Sequence, residues 1–210
     1  MIPDKQTSQR CNFMARTSRF PLIATICTAI AVVILCGLGW WQVERLQWKN
    51  QLLAALEREY ARDANKVRLD TGDIDAVASG AIMLRRGSIT GRYLHEYEMQ
   101  LRASYNKGRA GIDIVTPFKL KDSDTVMFVN RGWLPKERAE PGQRAKTRVR
   151  GTMSITGTLK RPAGHIIGTP ENKPEQGKWY HIAPAQMAKA QRLSKPAPVV
   201  FKVTSEPVAG

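Results

Sequence analysis

The sequence predicts an α+β protein: an N-terminal transmembrane helix and stalk, followed by a β-rich antiparallel soluble domain with short helices. Three observations predict it. Residues 20–43 contain no Lys, Arg, Asp, Glu or His. Residues 42–66 continue at helical spacing without a Gly or Pro. Beyond residue 80 the apolar period shortens to two, with turn residues between the segments. The predicted organisation is a basic tail at 1–19, a span at 20–43, a helical stalk at 44–65 and a β-rich domain at 66–210.

The apolar stretch Phe20–Val43 reads FPLIATICTAIAVVILCGLGWWQV. As a helix rising about 1.5 Å per residue it reaches roughly 36 Å, enough to cross a ~30 Å hydrocarbon layer. A helix also pairs its own backbone polar groups, as lipid demands. Trp40 and Trp41 lie at the far end, where amphipathic rings favour the headgroup layer. The run exceeds the ~7–15 residues of a cleaved signal and no small-x-small site follows it. Ile26 and Leu35 precede Cys27 and Cys36, where a lipidation signal uses small residues, so the helix is expected to remain as an anchor. Lys5, Arg10, Arg16 and Arg19 make the tail basic, and it is assigned to the cytoplasm, since long domains translocate largely regardless of charge.

Net charge is +15 over 210 residues; the tail carries +3 and the span none, leaving +12 from Glu44 onward. These charges are dispersed, with no recognised nucleic-acid motif, so the expected partners are membrane lipids or an acidic protein and not nucleic acid. Cysteines occur at 11, 27 and 36 only, which excludes a disulfide framework in the soluble domain and suits the oxidising side of a membrane.

In chain order, Val43, Leu46, Leu53, Leu56 and Tyr60 recur at helical spacing in the stalk. Leu69–Gly80 is polar and reads as a loop or short helical piece. Ile82–Leu94 holds β-formers broken by Gly87 and Gly91, and Glu98–Tyr105 alternates Met99, Leu101, Ala103 and Tyr105 against polar neighbours. Asn106-Lys107-Gly108 predicts a turn. Ile112–Leu120 predicts a strand in which Pro117 demotes one end to an edge or bulge. Thr125–Asn130 is the most hydrophobic strand. Lys136–Arg148 reads as an exposed loop, Arg150–Leu159 as a strand, and Lys160–Gly177 as a long loop. Pro184–Leu193 predicts a short surface helix and Val199–Thr204 a last strand.

No catalytic constellation emerges, and the protein is predicted to be non-enzymatic. His95, His165 and His181 are too scattered for a metal-ligand motif, and no Cys-x-x-Cys exists. Cys27 and Cys36, nine residues apart, fall on opposite faces of the anchor. The methionines of the soluble part are dispersed, and no Walker loop, G-x-S-x-G or dinucleotide fingerprint is present.

Three segments carry a resemblance. The first is Gly39-Trp40-Trp41-Gln42-Val43-Glu44-Arg45 with Trp48-Lys49. The second is Thr116-Pro117 followed by Val129-Asn130-Arg131-Gly132-Trp133-Leu134-Pro135. The third, weaker set is Gly157–Arg161, Pro170-Glu171-Asn172 and Trp179-Tyr180. In order and spacing, from about Phe20 to Val203, they resemble the Surfeit locus protein 1 family. That resemblance implies an assembly factor for cytochrome c oxidase in a bacterial plasma membrane with a periplasmic domain, or in a mitochondrial inner membrane. It implies cytochrome c oxidase subunit I and haem a synthase as partners, and help with insertion of haem a.

The family's second span, with the histidine proposed to hold haem, would begin after the last strand. Here only Thr204–Gly210 follow, without another 18-residue apolar run. Haem a is therefore implied as a cofactor only through the family, because the candidate ligand is not found in this chain. The resemblance makes Trp41, Gln42, Arg45, Trp48, Asn130, Arg131, Gly132 and Trp133 the candidates for partner contact. Plainer readings stand beside it. The tryptophans serve as interface anchors, Arg45 snorkels to phosphates, Gly132 supplies a tight turn, and Arg131 packs on Trp133.

Overall fold

One uninterrupted helix, α1, runs from Leu22 to Ala61. No break marks residue 43, where the charge-free stretch ends, because good helix formers without Gly or Pro continue it. None of its residues is buried, and it is long and apolar enough to cross a membrane. The computed structural model describes residues 21–106, 108–140, 142, 148–165 and 167–204. The predicted basic tail, Lys107 of the expected turn, most of 141–147 and the side chains of Ala103 and Tyr105 lie outside that description. The chain divides into two compact units, residues 1–52 and 53–210.

In the second unit, residues 71–79 form α2 (Thr71–Ser79), the short helical piece of the two alternatives expected there. The reason is local: Asp70 and Asp73 form a capping box, and Gly80 closes the helix in the left-handed conformation at φ 84°. Arg85 then bridges two elements, donating from Nε to Asp73 at 2.8 Å and from its terminal nitrogen to Glu59 at 3.0 Å.

Six strands follow: β1 (Leu84–Tyr93), β2 (Met99–Asn106), β3 (Arg109–Leu120), β4 (Val126–Pro135), β5 (Met153–Lys160) and β6 (Pro196–Val203). Their order is β1-β5-β6-β4-β3-β2, and β1 also pairs with β3, so the sheet closes on itself. All pairings are antiparallel except β4 with β6, which is parallel. A parallel neighbour requires a crossover. Here it comprises β5, the 161–183 loop and α3 (Pro184–Gln191).

Two expectations are corrected. Gly87 and Gly91 do not break β1, which runs through both. Gly91 is where β3 crosses closely: a Cβ there would lie 2.1 Å from the Lys119 carbonyl oxygen. Pro117 makes neither an end nor a bulge; β3 continues through it in register with Phe128. Its carbonyl accepts the Leu94 N–H at 2.8 Å, so its absent N–H would have faced that same edge. There the pairing with β2 has ended at Met99↔Val115 and the pairing with β1 starts only at Tyr93↔Phe118, so the missing donor falls in the gap between partners.

The main core gathers Ile74, Val77, Ile89, Phe118, Met127, Val129, Ile155, Leu159 and Phe201 from α2 and the sheet's inner face. A second cluster covers the other face, where Phe128 and Leu101 meet Trp179 and Met187 of the α3 region. Burial on both faces explains why Val126–Val129 is continuously apolar. Gly157 sits where β6 passes close to β5, a Cβ being 2.3 Å from the Lys202 carbonyl oxygen and 2.7 Å from the Phe201 ring. Gly157→Ala is expected to destabilise the domain by about 1–3 kcal/mol, read as a lower denaturant midpoint at unchanged slope; an unchanged midpoint would contradict the packing.

Candidate functional site

The Asn130–Trp133 block lies inside β4 and not after it. Its defining feature is a β-bulge. Ile114 pairs with Gly132 and Val115 with Asn130, so Arg131 is one residue more than β3 can match. Asn130 and Gly132 make this local geometry. The Asn130 side-chain oxygen accepts the Gly132 N–H at 2.8 Å, and Gly132 adopts φ 111°, a value that L side chains rarely take. The glycine expected to supply a turn instead supplies this irregularity within a strand.

The bulge aims Arg131 inward. It is 4% exposed, its guanidinium lies 5.0 Å from the Tyr93 ring centroid, and it pairs with the buried carboxylate of Glu98 at 3.7 Å. The ring it meets is therefore Tyr93 and not Trp133. Trp133 remains half-buried over Gly111, its indole N–H donating to the Ser104 carbonyl at 3.4 Å. Thr116, the first residue of the Thr-Pro pair, is fully buried in β3.

Asn130 opens on the other side into a cavity of about 210 Å³, lined also by Lys160, Tyr180 and His181. Here the weaker motif residues meet. Asn172 is the organiser: its side-chain oxygen accepts the Tyr180 and His181 N–H groups at 2.8 and 3.2 Å. Its amide nitrogen donates to the His181 carbonyl and to Gln186. This holds residues 178–182 beside β2, where the Arg102 N–H donates to the Trp179 carbonyl at 2.7 Å. His165 and His181 come together with ring centroids 5.6 Å apart, a pairing that their 16-residue separation could not signal. Among the described residues no group of three His, Cys, Asp or Glu is placed to hold a metal.

Burial pushes His95 below the usual histidine range; its hydrogen bond with Val149 opposes this, and nearby Arg131 and Arg148 add to the lowering. His181 is lowered by burial and by His165, with Glu171 opposing.

Trp41, Gln42, Arg45 and Trp48 belong to the helical unit, while Asn130–Trp133 belong to the β-unit. On the helix, Trp41, Arg45 and Trp48 share one stripe at i, i+4 and i+7, and the Arg45 guanidinium lies 5.3 Å from the Trp41 ring centroid. Both tryptophans are exposed, Trp48 at 61%. Tertiary positions that no spacing rule could supply are Glu98 and Tyr93.

Comparison with known proteins adds the remaining facts. A family model described as the SURF1 family matches residues 29–210. A SURF1-like protein of Monosiga brevicollis is 30% identical over 184 residues, covering 83% of this chain and 67% of that protein. A SURF1-like protein of Caenorhabditis elegans is 30% identical over 75% of this chain, and Surfeit locus protein 1 of Mus musculus is 29% identical over 73%. The matched region spans about half the length of these last two, 54% and 53%.

Two outcomes follow from this geometry. Arg131→Met removes the ion pair to the buried Glu98 carboxylate and is expected to cost about 3–5 kcal/mol, whereas combining it with Glu98→Leu recovers most of the loss; equal stability of the single and double variants would refute the pairing. Because both histidines bind protons less well folded than unfolded, their contribution is present above roughly pH 6.5 and lost as pH falls below it. The unfolding midpoint should therefore drop between pH 7 and pH 5.5, more steeply in the native chain than in His95→Gln/His181→Gln.

Proposed function

The chain belongs to the SURF1 family, and from that premise we propose that it is a membrane-anchored, non-enzymatic assembly factor for cytochrome c oxidase. It assists insertion of haem a into oxidase subunit I, with haem a synthase as the upstream partner. One observation carries the reading: the family match extends through the outer half of the apolar helix and the whole β-domain, so both blocks of candidate contact residues fall within it. Anchoring follows from the charge-free run in α1, with 20–43 as the span, 1–19 as a cytoplasmic tail, and 44–65 as a stalk leading to the domain from 66 onward. The domain then lies in the periplasm of a bacterium, or between the membranes of a mitochondrion.

The described side chains divide the labour. Arg131 positions the bulge from inside, because it is buried against Glu98 and Tyr93. Trp41, Arg45 and Trp48 are exposed on the helix and available to a partner, and Trp133 offers a half-buried ring. Oxidase activity and haem a absorbance in a deletion strain are expected to fall several-fold while other haem proteins persist; unchanged oxidase spectra overturn the proposal. Trp41→Ala/Trp48→Ala should reproduce the defect at normal protein level, since neither ring is buried.

A second reading, an envelope scaffold or anionic-lipid and protein-binding module, rests on the +12 charge carried after residue 43. It is separated by neutralising dispersed surface lysines, which should leave an assembly factor working.

A further inference from the structure

We propose that the cavity between the end of β1 and the segment entering β5 binds a phosphate group, presented either by a phospholipid headgroup or by a soluble phosphate. This inference is independent of the oxidase reading. The cavity measures about 600 Å³, within the range of small-molecule sites, and lies outside both motif blocks. Arg92 lines it from β1, and Arg148 and Arg150 from the opposite wall.

Its walls are tied to each other. Arg148 donates to the His95 carbonyl at 2.8 Å, and the His95 ring Nε2–H donates to the Val149 carbonyl at 2.9 Å. The site is thus built before a ligand arrives, which reduces the ordering cost of binding. Arg148 uses one of its five donors in this tie, leaving the others available. Arg92 and Arg150 have no carboxylate within ion-pair distance among the described residues. Glu96 also lines the cavity, so three arginines and one acidic residue line it. Beyond the wall, the Arg131 guanidinium lies 5.0 Å from the Tyr93 ring centroid.

Three arginines lining one cavity carry more donors than the two oxygens of a carboxylate accept, whereas a phosphate presents up to four. Tyr93 and Leu94 add apolar wall beside them, suited to the carbon atoms that a phosphate ester carries. The isolated guanidinium groups account for the ligand's charge, and the tied walls for its containment.

The test uses the full chain in neutral maltoside micelles. It is titrated calorimetrically at about 0.1 M salt with dihexanoyl phosphatidylglycerol, with inorganic phosphate, and with dihexanoyl phosphatidylcholine. Saturable binding with one site per chain is expected, weakened about tenfold or more by Arg92→Gln and by Arg150→Gln. Both arginines are exposed and form no ion pair among the described residues, so the unfolding midpoint of each variant, measured on the same samples, should match the parent. Tighter binding of phosphatidylglycerol than of inorganic phosphate identifies a lipid headgroup; equal binding identifies a soluble phosphate. The proposal fails if no anion binds saturably. It also fails if Lys173→Gln/Lys189→Gln, which removes the same charge elsewhere on the surface, weakens binding as much as Arg92→Gln/Arg150→Gln.

Discussion

Strand β4 is buried on both faces along Val126–Val129, and the rest of the domain depends on how the chain leaves that position. It pairs with β3 on one edge and with β6 on the other, so neither edge is free to absorb an irregularity cheaply. A regular continuation would keep the alternation that sends Met127 and Val129 to one core and Phe128 to the other. Adding Arg131 as an unmatched residue bends and twists the strand at that point. The side chain of the added residue enters the interior, where an arginine is tolerable only with a carboxylate and an aromatic face to meet it. Glu98 and Tyr93 supply both.

This arrangement makes the Asn-Arg-Gly-Trp sequence a single structural device. Asn130 caps the glycine N–H, Gly132 takes the backbone angle that other residues resist, Arg131 turns inward, and Trp133 is set down over Gly111. Its two sides then serve different neighbourhoods. Tyr93 leads to the arginine-lined cavity at the end of β1, while Asn130 faces the cavity organised by Asn172. A change at the bulge therefore reaches both through contacts already in place.

Positive charge is handled differently in different parts of the β-unit. Arg85 is satisfied by Asp73 and Glu59, and its proton is held more firmly than usual, chiefly through the Asp73 hydrogen bond. Arg131 is buried and paired with Glu98. Arg92 and Arg150 have no such carboxylate partner among the described residues and line one cavity. The same residue type thus acts as a structural tie, a buried positioning group and an available donor, according to where the fold places its head.

Much of the architecture was legible in the sequence because it rests on short-range rules. The charge-free run and the absence of Gly and Pro through Lys66 determine a long apolar helix, and alternation with turn residues determines a β-rich domain. The motif blocks pointed to the family that the comparisons show. What only the tertiary structure decided involves partners distant in the chain. Pro117 is harmless because β2 and β1 share one edge of β3, and Gly91 belongs in a strand because β3 crosses it. Arg131 is internal because β4 carries one more residue than β3, a mismatch that exists only once two strands are paired. Helical and strand periods are properties of consecutive residues, whereas register, sheet closure and the neighbours of a buried charge are properties of pairs that the linear order does not bring together.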